Sequence, residues 1–429
     1  MSIQLQKVNC EFEREPLSRP FGFKGGYMKE IWQSAALMET DDGIRGLGLG
    51  TQSVLWSESR VFSKSSESGG NSLMFAITDY ALQLAKERTF ENPIDLQDQI
   101  IEEVFTYAKK ITGLPELSKT FILNAMVSVD NAAWIVYARK NGLTNFDEMI
   151  PAQFRAAFSH RHEKVGSVPI ASYGMSLDEV CKLVEEDGYF ILKFKLGSPG
   201  TQQEMLKNDQ ARIEAIHRAI GDIKTSYTED GKIPYYFDMN GRYESKETLS
   251  KLLDHSKKIG AFEQIKIIEE PFPEDYKVDV GDMGVTVAAD ESAHTAENVV
   301  ERIDMGYGAI VLKAVAKTLS MTIKMANAAY ERSIPCFCAD LTVNPILVDW
   351  NKNMAARLAP MPGFDVGLLE TNGHQNYKMW EKMKTYHPKP EASWIKSQEG
   401  VFTLDNDFYA SSGGIYEDSP HYGSIFDGE

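Results

Sequence analysis

The sequence predicts an α/β protein: an α+β unit followed by a (β/α)8 TIM-type barrel, with a C-terminal tail that packs back on the first unit. Three observations carry this. The 429 residues are 43% hydrophobic, enough for two domains and too apolar for a disordered chain. From residue 168 onward, short apolar runs alternate with amphipathic helical stretches eight times over. Upstream of that point the pattern is mixed, with apolar runs, a glycine-rich turn region and long helical periods. The expected units are 1–165, 166–385 and a tail over 386–429.

In the first unit, residues 28–40 are mostly apolar and end in the turn signal Thr40-Asp41-Asp42-Gly43. Gly43, Gly46, Gly48 and Gly50 follow. No Gly-Lys-Ser/Thr and no strand–GxGxxG–helix context is present, so they read as strand and turn rather than a phosphate loop. Residues 63–72, SKSSESGGNS, are expected to form a mobile surface loop and a candidate lid. Stretches 73–87, 96–112 and 118–140 have helical periodicity, with Leu96, Ile100, Ile101, Val104, Phe105 and Ala108 on one face of the second.

In the second unit the strand-like runs are 168–173, 189–196, 234–237, 265–268, 285–289, 309–312, 335–339 and 366–369. Helix-like segments over 177–186, 203–220, 245–259, 295–305 and 319–332 lie between them.

With 45 basic and 62 acidic side chains the net charge is −17, which argues against nucleic acid as a partner. An anionic substrate is still compatible, because a metal ion reverses the local field. The opening MSIQLQKVNC lacks a secretory pattern, and no apolar run reaches the ~18 residues of a membrane span. Cys10, Cys181, Cys336 and Cys338 are scattered without a CxxC pair, so a reduced, cytoplasmic setting with no membrane partner is expected. Cys336 and Cys338 share a strand face and read as small buried apolar groups.

Barrel chemistry sits at the C-terminal strand ends. The second run ends Leu192-Lys193-Phe194-Lys195-Leu196-Gly197, and its two lysines point the same way. The third to sixth runs end in Asp238, Glu269-Glu270, Asp290-Glu291 and Lys313. Carboxylates converging on one mouth repel unless a cation sits among them, and hard oxygen ligands with open positions suit Mg2+. Lysines on strands two and six then flank that metal. The layout suits removal of a proton next to a carboxylate, with the metal neutralising charge as an enediolate forms. A lysine beside a cation and a second lysine is expected to lose its proton near neutral pH.

The motifs LKFKLG, FDMNG, IIEEP, ADES and VLKAVAKT resemble those of the enolase superfamily, on the muconate lactonizing enzyme and mandelate racemase-like branch that includes dipeptide epimerases and N-acylamino acid racemases. PFGFKGG with METDDGIRGLG is similar to the start of that family's capping domain. The resemblance implies Asp238, Glu269 and Asp290 as ligands to one Mg2+ per subunit. It implies Lys195 and Lys313 as the acid/base pair, and Lys193 as a partner lysine that holds the substrate carboxylate. Asn240 and Glu291 match positions that back the ligands. Substrate specificity is expected from cap segments near 19–27 and 51–56, where Arg19 and Lys24 would steer an anionic group and Trp56 would cover an apolar one. Members often assemble, so a homo-oligomer acting on a small carboxylate substrate is expected.

Two departures matter. The Asp-x-Asp pair that holds the substrate ammonium in dipeptide epimerases is missing; the region reads Gly367-Leu368-Leu369-Glu370-Thr371-Asn372-Gly373. Glu370 is left to pair with an ammonium or face a substrate carboxylate. The strand-seven histidine of acid-sugar dehydratases is replaced by Cys336-Phe337-Cys338-Ala339-Asp340-Leu341, which leaves Lys313 as the second base and Asp340 as a pocket residue. His294 is expected to be structural, and His374 to lie near the rim.

The expected function is a Mg2+-dependent racemase or epimerase, a metal-dependent isomerase working by two lysines on an amino acid derivative or dipeptide. The alternatives are an acid-sugar dehydratase or cycloisomerase of the same superfamily, a Schiff-base lysine aldolase, and a non-catalytic barrel scaffold. An aldolase has no need of three carboxylates on successive strands.

Overall fold

A computed structural model describes residues 2–23 and 26–427. The N-terminal unit is built on a four-stranded antiparallel sheet, in spatial order Arg45–Gln52, Gly26–Thr40, Ile3–Phe23, Thr89–Phe90. Helix Val127–Asn141 is buried along most of its length and lies against this sheet. The glycines of 43–50 explain how closely: a Cβ on Gly48 would sit 2.1 Å from the Ala132 nitrogen and the Ser128 carbonyl. Only a bare backbone fits there.

The segment 63–72 is not the loop expected from its composition. It lies inside a long helix, Ser59–Lys86, broken only at Ser66, whose φ is 64°. Ser63 and Ser72 donate to the carbonyls of Ser59 and Ser68 one turn back, which keeps their hydroxyls satisfied within the helix. Gly70 lets the helix approach Val54, whose Cγ1 would be 2.8 Å from an added Cβ. The Glu67 carboxylate accepts the amides of Lys29 and Glu30 at 2.7 and 3.2 Å. Serine and glycine here serve close packing rather than mobility, so no lid is formed by this segment.

The second unit is a closed ring of eight parallel strands. The first strand is interrupted: Lys164–Val168 pairs with strand eight, Gly367–Glu370, and Ile170–Ala171 pairs with strand two, Leu192–Lys195. Only Pro169, which has no amide to donate, separates the halves. Strands three to seven are Tyr235–Asp238, Ile265–Glu269, Val287–Ala289, Ala309–Leu312 and Cys336–Cys338, each paired with the next. Helices Leu177–Glu185, Gln202–Ile220, Lys246–Lys258, Ala296–Asp304, Leu319–Glu331 and Pro345–Ala355 separate successive strands from the first to the eighth, except between strands four and five, where the stretch 270–286 crosses without the helix that the strand–helix alternation predicts.

The tail bridges both units. Its strand Val401–Thr403 pairs antiparallel with Lys164–Val168. Farther on, Ser412 Oγ accepts the Phe146 amide at 2.7 Å, Asp418 meets Arg139 at 3.0 Å, and His421 meets Glu13 at 2.8 Å. Among the described residues no single helix is long and apolar enough to cross a membrane.

Candidate active site

Parallel register sets the site. Lys195 is opposite Asp238, and Asp238 is opposite Glu269, so the C-terminal ends of strands two, three and four place a lysine and two carboxylates side by side. Lys193, one pleat deeper, shares the face of Lys195. In an eight-strand ring, strands two and six lie across from one another, which puts Lys313 on the opposite wall.

Each lysine is buried on carboxylates. Lys193 Nζ lies 2.8 Å from Asp238, 2.9 Å from Glu269 and 2.8 Å from Glu370. Lys195 donates to Asp238 at 2.6 Å and to Asn240 at 2.9 Å. Lys313 donates to Asp290 at 2.5 Å, with its ammonium 4.6 Å above the Trp56 ring. Asn240 holds its position through a left-handed backbone, φ 43°, which asparagine tolerates better than most residues. Its side-chain amide donates to Glu291 at 2.9 Å.

The electrostatics follow from this geometry. Burial alone would deprotonate Lys193, but Asp238, Glu269 and Glu370 outweigh it and hold its pKa well above the ordinary lysine value. Burial is likewise outweighed at Lys313, chiefly by Asp290, and its pKa rises. The expected easy loss of a lysine proton is therefore not what these contacts favour for Lys193 and Lys313, because the lysines supply the positive charge that the carboxylates require. Asp238 and Asp290 fall well below the carboxylate range despite full burial, through Lys193 with Lys195 and through Lys313 with Lys317. Glu269 moves the other way: burial, then the charge of Asp238, pushes it well up. Tyr236 donates its hydroxyl to Glu269.

Carboxylate oxygens of Glu269, Asp290 and Glu291 lie within 4.8 Å of one another, a donor set of the hard type that Mg2+ takes. Asp238, expected as a ligand, lies against the ammonium groups of Lys193 and Lys195. Glu291, expected behind the ligands, joins the cluster.

Asp340 and Glu370 line the same cavity as the lysines, but both are already engaged. Asp340 accepts the amides of Thr342 and Asn372 at 3.1 and 3.2 Å, and burial with the nearby Glu370 charge pushes its pKa up to about 8. Glu370 accepts from Lys193 at 2.8 Å and Asn372 at 3.2 Å. From the cap, Phe21, Met28, Ser53 and Trp56 face the cavity. Arg19 does not: it is exposed on the cap strand, where its charge is felt by Glu179. Lys24 lies outside the described residues. His294 joins Thr120 of the cap to Glu274, as a structural residue would. His374 packs between Tyr189 and Trp380, away from the cavity lining.

Sequence reasoning missed Lys317. It is 0% exposed and donates to the carbonyls of Asp290 and Ala293 at 2.7 and 2.8 Å, so it pins the loop that presents Asp290. The signal was present: Lys313 and Lys317 are one helical turn apart.

Residues 176–380 match the model of the family described as "Enolase C-terminal domain-like". The matched stretch covers most of the barrel, and the fold is that of an enolase-type barrel beneath an antiparallel cap. Three similar solved structures have closely related overall folds. A dipeptide epimerase from Enterococcus faecalis V583, complexed with Mg and the dipeptide L-Leu-L-Tyr, gives a TM-score of 0.65 at 16% identity over 96% of this chain and 99% of that one. The L-Ala-D/L-Glu epimerase from Bacillus subtilis gives 0.63 at 14% identity, over 94% and 97%. An N-succinyl Arg/Lys racemase from Bacillus cereus gives 0.61 at 18% identity, over 88% and 89%. A search of curated protein sequences found no match.

Proposed function

We propose that the chain is a divalent-cation-dependent racemase or epimerase, acting on an amino acid derivative with a free carboxylate. The observation that carries this is the pair Lys195 and Lys313, on opposite walls, with Asp238, Glu269 and Asp290 between them. The residues fit the cation: carboxylate oxygens of Glu269, Asp290 and Glu291, hard donors, lie within 4.8 Å of one another at the barrel mouth. Glu269, Asp290 and Glu291 would hold it, with Asp238 turning inward as a further ligand. When bound, the cation supplies the positive charge these carboxylates otherwise draw from the lysines, and polarises the substrate carboxylate.

The chain's own residues divide the remaining work. Lys195 Nζ and Lys313 Nζ reach the α-carbon from opposite sides, so one removes the proton and the other returns one to the opposite face. Trp56 keeps Lys313 aligned by standing over its ammonium, an attraction between cation and aromatic face. Lys193 positions Glu370 and the two strand carboxylates. Phe21, Met28, Trp56 and Leu341 offer an apolar wall to the substituent on the α-carbon, and exclude water from it. That wall favours an apolar amino acid derivative over a polyhydroxylated acid sugar.

Deuterium wash-in tests the reading. With Mg2+ in D2O, pools of N-acylamino acids and dipeptides are expected to gain about one mass unit at the α-carbon without losing atoms. Loss of water from a sugar acid would replace the racemase reading with a dehydratase.

A further inference from the structure

We propose that the divalent cation reaches the barrel mouth through the seam between cap and barrel, received by Glu291, and not past the cap residues that cover the substrate chamber. This rests on the metal-dependent reading above. The substrate chamber is small, about 40 Å3, and Phe21, Met28, Ser53 and Trp56 line it on the cap side. By volume it holds on the order of three water-sized groups. On the other side of Trp56 lies a second cavity of about 180 Å3, walled by Glu58, Arg60, Thr120, Glu274, Glu291 and His294. It shares Arg60, Ser118, Glu274 and His294 with a cleft of about 630 Å3 that runs outward to the exposed Glu116 and Glu297.

Three features make this the cation's route. Of the three clustered carboxylates, Glu269 and Asp290 are sealed at 0% and 1% exposure, whereas Glu291 is half-buried and lines the outer cavity. The wall between cavity and chamber is itself polar: Asn240, which lines the chamber, donates to Glu291 at 2.9 Å. The path carries five carboxylates against two fixed cations, Arg60 and Lys119, and Arg60 is already neutralised by Glu58 at 2.6 Å. A cleft with an excess of negative charge concentrates cations and speeds their arrival. Oxygen-lined walls also allow a strongly hydrated ion to exchange its waters one at a time.

The test uses the full chain, stripped of metal, with Mn2+ uptake followed by stopped flow and a fluorescent indicator of free Mn2+. Glu116→Lys with Glu297→Lys reverses charge at the outer cleft. Glu247→Lys with Asp254→Lys, on the distant helix Lys246–Lys258, makes the same change in net charge. The cleft variant is expected to bind Mn2+ roughly tenfold more slowly at low ionic strength, with the difference lost in high salt. The distant variant should stay within about twofold of the parent. Phe21→Ala, which opens only the chamber side, should leave the rate unchanged. Equal slowing in both charge variants, or faster uptake in Phe21→Ala, would overturn the route while leaving the metal site intact. A parent protein that binds no Mn2+ at equilibrium would overturn the metal-dependent reading as well.

Discussion

Two buried ionic clusters lie in the same barrel, and they differ in balance. Behind strand seven, Asp349, Lys352 and His387 are 0–2% exposed and pair among themselves, with Trp394 Nε1 donating to Asp349 at 3.0 Å and Lys352 donating to the Trp394 carbonyl at 2.7 Å. There one lysine and one histidine serve one carboxylate, whose pKa falls because Lys352 and His387 outweigh burial. At the mouth, Lys193, Lys195, Lys313 and Lys317 face seven carboxylates: Asp238, Glu269, Glu270, Asp290, Glu291, Asp340 and Glu370. The surplus is visible in Glu270, pushed up to about 7 by burial and the Glu291 charge, and in Asp340. The difference teaches that burial of charge does not by itself mark a site. A shortage of positive charge, in a cavity, does.

The contrast breaks most sharply by mutation of the lysines. Lys195→Ala or Lys313→Ala should reduce turnover by about 10³-fold or more, while Mg2+ still binds by calorimetry. If Lys313→Ala turned over like the parent, the two-lysine mechanism would be wrong. The balanced cluster should respond in stability instead. Lys352→Met leaves Asp349 short of its lysine and should cost about 3–5 kcal/mol in denaturant unfolding, with Mg2+ affinity of the folded protein unchanged.

Metal separates the two clusters next. Mg2+ at a hundred times its dissociation constant should stabilise the parent by about 2.7 kcal/mol, read as a rise in Tm. Asp290→Asn should abolish that rise, and Lys352→Met should retain it.

An effect of about the same size, read through pH, comes from a third buried carboxylate, which is held by hydrogen-bond donors and, among the described residues, by no cation. Asp130 of the cap accepts the Ser320 amide at 3.0 Å and the Ser320 hydroxyl at 2.5 Å, and burial pushes its pKa up to about 6. The folded state then binds more protons than the unfolded chain between about pH 4 and pH 6. Its contribution therefore weakens stability as pH rises through that window, by roughly 2–3 kcal/mol. Asp130→Asn should remove that slope from the difference between variant and parent unfolding curves. A parallel pair of curves would refute the assignment.

Much of this was legible in the sequence because the barrel repeats. Eight apolar runs, most of them followed by a helical period, give the ring, and residue types at the run ends give the charges. What stayed illegible depends on neighbours in space. The 21-residue strand Ile3–Phe23 carries Glu11, Glu13, Arg14 and Glu15 and two prolines, so alternation fails where its cap partner, not its own pattern, determines the pairing. The helix through 63–72 is set by the approach to Val54 and by Glu67, neither of which composition reveals. Arg19 and Trp56 are both on the cap side, yet only Trp56 turns toward the mouth, since the short helix Val54–Ser57 aims it there. The ligand set and the lysine protonation depend on ångström-scale competition between ammonium and carboxylate groups.

The first barrel strand has a consequence for biosynthesis. Its lower half is hydrogen-bonded on one side to residues near 370 and on the other to residues 401–403. A chain emerging from the ribosome cannot complete the first of these edges until about 200 later residues have been made, nor the second until more than 230 have. Before the first forms, Lys164–Val168 presents open backbone on both sides, the kind of edge that captures other strands. The last stretch of the polypeptide therefore acts as a clasp, and chains that terminate before Val401 would be released with that edge uncovered.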